Sequence, residues 1–354
     1  MLTSTLRIFI FLLFAILFCS SADHEKNAVV TMVTGADTGY LAGALALGQS
    51  LVEAGCKLTK VVIVTPEVDQ GARHQLSSLW EIVEVDSVKC NSKYSTEASN
   101  KAELKELPHS CTKFAAWNLT QYDRVIYIES DAIVVGPIDD ALHQYSNAAF
   151  LAASEDFPPD TFNSGFMVLN PSKQTYEGLL QINDLNGSAD GSDKSILNDG
   201  LCPHWFYAGP EDKKCGRLPW IYNVNSANFE QYNTLRKMSG LRVPSVIHFS
   251  SAEKPWEVLL IDYLGGGDIK AELKQVLLKQ AYVHLLWRKY YFQATKEQPP
   301  RSSIFDEVLE SAGASKGEGQ AQQPAGVKMA RPVERKRKNR KRKKSLMKTR
   351  KKRA

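Results

Sequence analysis

Residues 124–140, RVIYIESDAIVVGPIDD, form an apolar run that is broken by two acids. The uncharged stretches on either side, 125–128 and 133–135, predict a buried parallel strand. Side chains alternate between the two faces of a strand, so Glu129 and Asp131 should point the same way and could share one divalent cation at a strand end. Carboxylate oxygens suit Mn²⁺ or Mg²⁺ better than Zn²⁺. The alternative is that both acids cap the strand and face water.

The chain before this run alternates between strand and helix. That order predicts an α/β fold with a parallel sheet. The phosphate-binding patterns GxGxxG and GxxxxGK[ST] are missing from the sequence, which argues against an ordinary Rossmann or P-loop nucleotide site. The predicted elements are strands at 29–34, 60–65, 82–85, 148–153, 162–169, 218–222 and 245–249, and helices at 40–54, 68–80, 112–119 and 271–291.

The N-terminus has the pattern of a secretory signal. Arg7 precedes an unbroken apolar run at 8–18, and Ser20 and Ala22 fit the small-residue positions of a cleavage site. Eleven apolar residues are few for a membrane span. We therefore predict a cleaved signal peptide at 1–22 and a location in the Golgi or ER lumen or outside the cell, with an uncleaved membrane anchor as the alternative.

The C-terminal region differs from the rest in charge. Residues 331–354 carry 15 Lys and Arg against one acid, whereas the remaining chain carries 29 against 38. We predict one folded domain at 23–295 and a disordered tail at 296–354, because its composition cannot bury a core. In a cytosolic protein the basic clusters would suit nuclear import or nucleic acid. With a secretory signal, we expect the tail to bind no nucleic acid. It would instead bind an anionic polysaccharide or a membrane surface, or be trimmed by proteases.

Five cysteines follow the apolar N-terminal segment: Cys56, Cys90, Cys111, Cys202 and Cys215. An oxidising lumen would allow disulfides, and the last two bracket a short stretch that could close. An odd number leaves at least one unpaired. The spacing does not suggest zinc.

Six segments, in order between 29 and 256, together resemble the glycogenin-type glycosyltransferases of family 8. That resemblance implies a single GT-A domain, with a mostly parallel central sheet flanked by helices, and a UDP-sugar donor. The segments are TMVTGADTGYLAGALALGQSL, CTKFAAWNLTQYDRVIYIESDAIVVGPIDD, FNSGFMVLNPS, DGSDKSILN, LPWIYN and VIHFSSAEKPW.

The resemblance implies a complete donor site. Breaking the sugar–phosphate bond builds negative charge on the leaving UDP, so a metal and nearby cations must stabilise it. Mn²⁺, with Mg²⁺ as the alternative, is implied at Glu129, Asp131 and His248. The implied catalytic residues are Lys113, Asp193 and Lys194, and the implied substrate-binding residues are Thr34, Gly35, Tyr40, Ser130, Asn163, Asp190, Ser251 and Lys254.

Three positions depart from the family pattern. Glu129 is one methylene longer than the usual Asp, and Ser251 replaces a glycine that lets backbone approach the phosphates. Lys194 stands where the family commonly has Gln. A cation there could pair with an acidic sugar such as glucuronate, or spoil transfer.

These residues together predict an enzyme that transfers a hexosyl or glucuronosyl group, with retained configuration, to a glycan, glycoprotein or glycolipid in the secretory pathway. One alternative is a non-catalytic binding protein, and a second is a glycogenin-like self-glucosylating primer. The acceptor tyrosine of self-glucosylating relatives aligns with Glu230, two residues before Tyr232, so we predict no self-glucosylation at the usual site. The sequence leaves open whether the protein forms a homodimer.

Overall fold

A computed structural model of the protein describes residues 25–299, except 36, 94–108, 144, 146, 154–159, 252 and 258–270. The predicted signal peptide, most of the loop predicted at 91–109, most of the turn at 155–160 and nearly all of the tail lie outside the described residues. Within the part that is described, no helix is long and apolar enough to cross a membrane.

The core is a seven-stranded sheet in the order β3-β2-β1-β4-β7-β6-β8. Four of its strand pairs are parallel, and β7 runs antiparallel to both β4 and β6. The predicted α/β fold with a mostly parallel sheet is therefore confirmed. The strands are β1 (Asn27–Val33), β2 (Thr59–Val64), β3 (Glu81–Glu84), β4 (Arg124–Ile128), β5 (Ala132–Val134), β6 (Phe150–Ala152), β7 (Phe166–Leu169), β8 (Cys215–Arg217), β9 (Val224–Asn225) and β10 (Val246–His248).

Helices cover this sheet. They are α1 (Thr38–Glu53), α2 (Gln70–Leu76), α3 (Lys173–Leu185), α4 (Asp193–Ile196, continuing as a π-helix over Leu197–Leu201), α5 (Phe229–Ser239) and α6 (Ala271–Thr295, kinked at Gln280). Short 3₁₀ helices span Ser110–Asn118, Asp139–Leu142, Trp205–Tyr207, Trp220–Tyr222 and Ser226–Asn228.

Residues 124–140 do not form one strand. β4 ends at Ile128, and β5 belongs to a second sheet in the order β5-β10-β9. The Ala132 amide donates to the Glu129 carbonyl at 3.1 Å, so the two acids occupy a turn between the sheets. The argument from strand alternation is therefore wrong, although the turn still brings both carboxylates to one place.

The first helix packs closely against this turn. Its N-cap, Asp37, accepts a hydrogen bond from the Gly39 amide at 2.7 Å. A Cβ on Gly43 would lie 2.4 Å from the carbonyl oxygen of Ser130. Glycine at this position thus lets α1 approach the turn that carries Glu129 and Asp131.

The predicted strand at 218–222 is wrong. The chain pairs over Cys215–Arg217 as β8, and Trp220–Tyr222 forms a 3₁₀ helix. Pro219 separates the two, with φ of −57° and no N–H to donate to a neighbouring strand. The strand predicted at 162–169 begins only at Phe166, because Asn163 and Ser164 turn toward a cavity at the sheet edge.

Two disulfides close loops in the domain. Cys202 pairs with Cys215, as the sequence suggested, and Cys90 pairs with Cys111, while Cys56 is unpaired. The sequence separations are 13 and 21 residues. Cys111 lies two residues before Lys113 in the 3₁₀ helix Ser110–Asn118, so one disulfide anchors the element that carries a predicted site residue.

Reduction of these disulfides should destabilise the protein. Loops of these lengths imply a loss of about 3 kcal/mol for each bond, because the reduced unfolded chain gains entropy. Urea unfolding with and without a phosphine reductant measures the loss in the free energy of unfolding. Cys56→Ser is the control, and this variant should show the same loss on reduction as the wild type. An unchanged unfolding midpoint after complete reduction would contradict this expectation.

Candidate active site

Three potential metal ligands converge where the two sheets meet. The Nε2 atom of His248 lies 3.0 Å from Oε2 of Glu129 and 3.1 Å from Oδ1 of Asp131. One donor atom from each residue lies within 4.8 Å of the others. The antiparallel pairing of β5 with β10 aligns His248 with Ala132, which explains how a residue 117 positions away reaches Asp131.

A buried amide orients the imidazole. Oδ1 of Asn223 lies 2.9 Å from Nδ1 of His248, so this nitrogen donates and Nε2 is directed toward the carboxylates. Nδ2 of Asn223 donates in turn to Oδ1 of Asn163 at 3.1 Å. A Cβ on Gly165 would lie 2.3 Å from the imidazole ring, so glycine is required beside it. Two carboxylates and an oriented imidazole form a set of oxygen and nitrogen donors that fits a divalent cation.

Lys113 connects this ligand set to Asp193. The Lys113 side chain is 1% exposed, and its Nζ donates to Oε1 of Glu129 at 2.6 Å, to Oδ2 of Asp193 at 2.6 Å and to Oγ of Ser164 at 2.9 Å. Burial alone would lower the pKa of Lys113, but the carboxylates of Asp193 and Glu129 outweigh burial and hold that pKa above its usual range. The ammonium is therefore charged and fixed in place.

Lys254 lies on the other side of the ligand set. Its Nζ donates to Oδ2 of Asp131 and to the carbonyl oxygen of Phe249, both at 2.8 Å. Burial would raise the pKa of Asp131, but Lys254 and His248 lower it below its usual value. The carboxylate is consequently ionised, as a metal ligand must be.

The protonation of His248 and of Glu129 depends on their charged neighbours in the site. Burial would lower the pKa of His248, but the carboxylates of Asp131 and Glu129 raise it to about 10. Burial would raise the pKa of Glu129, but Lys113 and His248 lower it well below its usual range. A cation bound at Nε2 has to displace the imidazole proton, so metal affinity should increase with pH.

The cavity at this place has a volume of about 530 Å³. It brings together all but two of the predicted site residues. Those that line it are Thr34, Tyr40, Lys113, Glu129, Ser130, Asp131, Asn163, Asp190, Asp193, Lys194, His248 and Lys254.

Gly35 and Ser251 are not among the lining residues. Gly35 has a φ of +67°, and its amide donates to Oγ1 of Thr65, so it forms the turn after β1. Ser251 follows Ser250, which does line the cavity.

Sequence reasoning missed the residues that support the ligands. Ser164 is 4% exposed and donates to Oδ2 of Asp193 at 2.7 Å, and Asn223 is fully buried against His248. The ring of Tyr127 lies 5.3 Å from Nζ of Lys113. Ser164 and Asn223 stand within the segments FNSGF and LPWIYN, so the signal was present but their roles depend on contacts across the fold.

A second group of potential ligands, Cys202, His204 and Cys215, does not offer free thiolates. Its two cysteines form a disulfide, and Nε2 of His204 pairs with Oδ2 of Asp212 at 2.7 Å. This group is therefore structural.

Removing the support of His248 should weaken metal binding. For Asn223→Leu we expect a loss of metal affinity of roughly 10- to 100-fold, because the imidazole loses the acceptor that fixes its orientation. Calorimetric titration with Mn²⁺ measures the change, with Asn118→Leu, an exposed site at the end of a 3₁₀ helix, as the matched control. Equal affinities for the two variants would show that Asn223 has no such role.

One protein family and several known proteins match this chain. The profile of glycosyl transferase family 8 matches residues 31–259. The chain is 34% identical to human glycogenin-1 over 233 residues, covering 65% of this chain and 62% of that protein. It is 32% identical to human glycogenin-2 over 267 residues, covering 75% of this chain and 50% of that protein.

Among solved structures, the galactosyltransferase LgtC, in complex with donor and acceptor sugar analogs, is 12% identical and has a TM-score of 0.49. That likeness covers 80% of this chain and all of LgtC. With a TM-score this low, it carries no weight for the site.

Proposed function

The chain belongs to glycosyl transferase family 8, and on that premise we propose that it is a metal-dependent, retaining glycosyltransferase. It moves a hexosyl or glucuronosyl group from a UDP-sugar to a glycan, glycoprotein or glycolipid outside its own chain. The observation that carries this proposal is the ligand set of Glu129, Asp131 and His248, which lines the cavity between Lys113 and Lys254.

Each group in the site has a task in this reaction. Glu129, Asp131 and His248 would hold the cation, for which Mn²⁺ is the first choice and Mg²⁺ the second. When bound, the cation neutralises charge on the leaving diphosphate. Lys254 lies at the edge of the ligand set and is placed to bind the same diphosphate.

The remaining residues bind and orient the sugar. Lys113 holds the carboxylates of Glu129 and Asp193 at fixed positions, so the metal end and the sugar end of the cavity are linked through one buried ammonium. Asn163, Asp190 and Asp193 offer oxygen acceptors and an amide donor to sugar hydroxyls. Because these groups are held before the donor arrives, little reorganisation accompanies the reaction.

A location in the secretory pathway forms part of the proposal. The signal-like segment at 1–22 supports it, and so do two disulfides, which persist in oxidising compartments. The basic residues at 331–354 would there contact an anionic polysaccharide or membrane surface.

The test is donor turnover by the purified full-length protein. A panel of UDP-sugars is incubated with Mn²⁺, and UDP release is followed with and without a chelator. We expect hydrolysis of one or two donors and its loss on chelation. Metal-dependent UDP binding without turnover, even with acceptor glycans, would favour the non-catalytic binding protein. If the protein neither binds UDP nor turns over any donor, the proposal is refuted.

Self-glucosylation at Tyr232 is not expected. Tyr232 is 6% exposed, its hydroxyl donates to the carbonyl oxygen of Arg242 at 2.8 Å, and its ring packs edge-on against Trp220. Intact-mass measurement after incubation with UDP-glucose and Mn²⁺ should show no hexose on this residue. A hexose adduct that disappears in Tyr232→Phe would contradict the expectation and favour the self-glucosylating primer.

A further inference from the structure

Among the described residues, three lysines line the cavity, and the surroundings of Lys194 differ from those of the other two. Lys113 and Lys254 contact carboxylates at 2.6 and 2.8 Å. In the part of the chain that the structure describes, the ammonium of Lys194 has neither a hydrogen-bond partner nor an ion-pair partner. Among the residues that the structure describes, Lys194 is therefore the one lysine of the cavity whose charge is not paired.

The backbone of Lys194 is held firmly. Its amide donates to Oγ of Ser192 at 3.2 Å, and its carbonyl accepts from Nδ2 of Asn198 at 2.9 Å. Asn198 also exchanges hydrogen bonds with the backbone of Phe162, at 3.0 Å in each direction. The half-buried lysine side chain thus extends from a fixed point on the cavity wall.

The acids nearest in sequence already have donors. Oδ2 of Asp193 accepts from Lys113 and Ser164. Oδ1 of Asp190 accepts from the hydroxyl of Ser188 and from the amide and hydroxyl of Ser192, at 2.9 to 3.0 Å. These interactions leave Lys194 available to an anionic group of a ligand.

The diphosphate of a donor has its own cations elsewhere in the cavity. The metal ligands and Lys254 form one end, and Lys113 connects Glu129 to Asp193, beside which Lys194 lies. With the diphosphate held by Lys254 and the metal ligands, as proposed above, the sugar would lie toward Asp193 and Lys194. We propose, resting on the proposed function, that Lys194 selects a donor whose sugar carries a carboxylate, so that the substrate class is a UDP-uronate.

Calorimetry on the full-length protein with Mn²⁺ tests this selectivity, using UDP, UDP-glucose and UDP-glucuronate. The wild type should bind UDP-glucuronate at least about tenfold more tightly than UDP-glucose, as expected for one charge-assisted hydrogen bond. In Lys194→Gln the two UDP-sugars should bind about equally tightly, whereas Lys194→Arg should keep the preference for UDP-glucuronate. Lys237→Gln, an exposed lysine on α5, is the matched control and should leave the ratio unchanged.

The affinity for UDP distinguishes a failure of the uronate proposal from a failure of the proposed function. If the wild type binds UDP but prefers UDP-glucose, the uronate proposal is overturned and the proposed function stands. A Lys194→Gln variant that weakens the binding of UDP and of both UDP-sugars equally would also overturn the uronate proposal, because the lysine would then act on the diphosphate or on folding. A wild type that binds no UDP would refute the proposed function and this inference with it.

Discussion

Replacing Asp131 with Asn is expected to reduce metal-dependent UDP-sugar turnover by about a hundredfold to a thousandfold, the range found when one preorganised charge-stabilising group is removed. Asp131 has two roles in the cavity. Oδ1 lies 3.1 Å from Nε2 of His248 in the ligand set, and Oδ2 accepts from Lys254 at 2.8 Å. An amide of nearly the same shape keeps the packing but removes the negative charge that both neighbours require.

The experiment measures UDP release at saturating Mn²⁺ and the affinity for Mn²⁺ itself. Asp199→Asn makes the same chemical change at an exposed position of the π-helix Leu197–Leu201, and it should leave both quantities unaltered. If Asp131→Asn retained wild-type turnover and metal affinity, the assignment of this ligand set would be wrong.

The sequence was sufficient for the parallel half of the sheet, but it did not predict β8 or the antiparallel direction of β7. The strands β1, β2 and β4 are nearly continuous apolar runs that are buried on both faces, and a helix or helical segment separates each from the next, so local patterns specify the parallel half of the fold. The two acids were found for the same reason, because charged residues interrupt an otherwise uncharged run.

Contacts between distant segments could not be predicted from local patterns. Lys113 in a short helix would by itself be expected at the surface, yet its side chain is buried between Glu129, 16 residues away, and Asp193, 80 residues away. The change of sheet at Glu129 and the support of His248 by Asn223 are likewise set by tertiary packing. Resemblance identified these segments, whereas only the three-dimensional arrangement shows which residues act on one another.

Lys113→Met should destabilise the metal-free protein by about 3 to 5 kcal/mol near neutral pH. The substitution keeps an unbranched apolar side chain, one atom shorter than lysine, but removes the cation. The carboxylates of Glu129 and Asp193, which both lie 2.6 Å from Nζ, would remain at the site without that partner. Uncompensated charge with restricted access to water is the source of the cost.

The loss should depend on pH. In the wild type the pKa of Glu129 is held low, so its contribution to stability is present above its unfolded pKa and is lost only in strong acid. Without Lys113 the pKa of Glu129 rises, and the folded variant relieves the unpaired charge by binding a proton. The stability gap between wild type and variant should therefore widen as the pH increases from about 5 to about 8.

Urea unfolding in the presence of a chelator at both pH values measures this gap. Lys173→Met is the matched control, because Lys173 is 75% exposed and lies 3.7 Å from Glu177 in an i, i+4 pair. It should cost no more than about 0.5 kcal/mol at either pH. Adding Asp193→Asn to Lys113→Met should recover part of the lost stability, because one of the two carboxylates that lost their partner is then neutral. A gap that is independent of pH would show that the loss comes from packing around Lys113 and not from its charge.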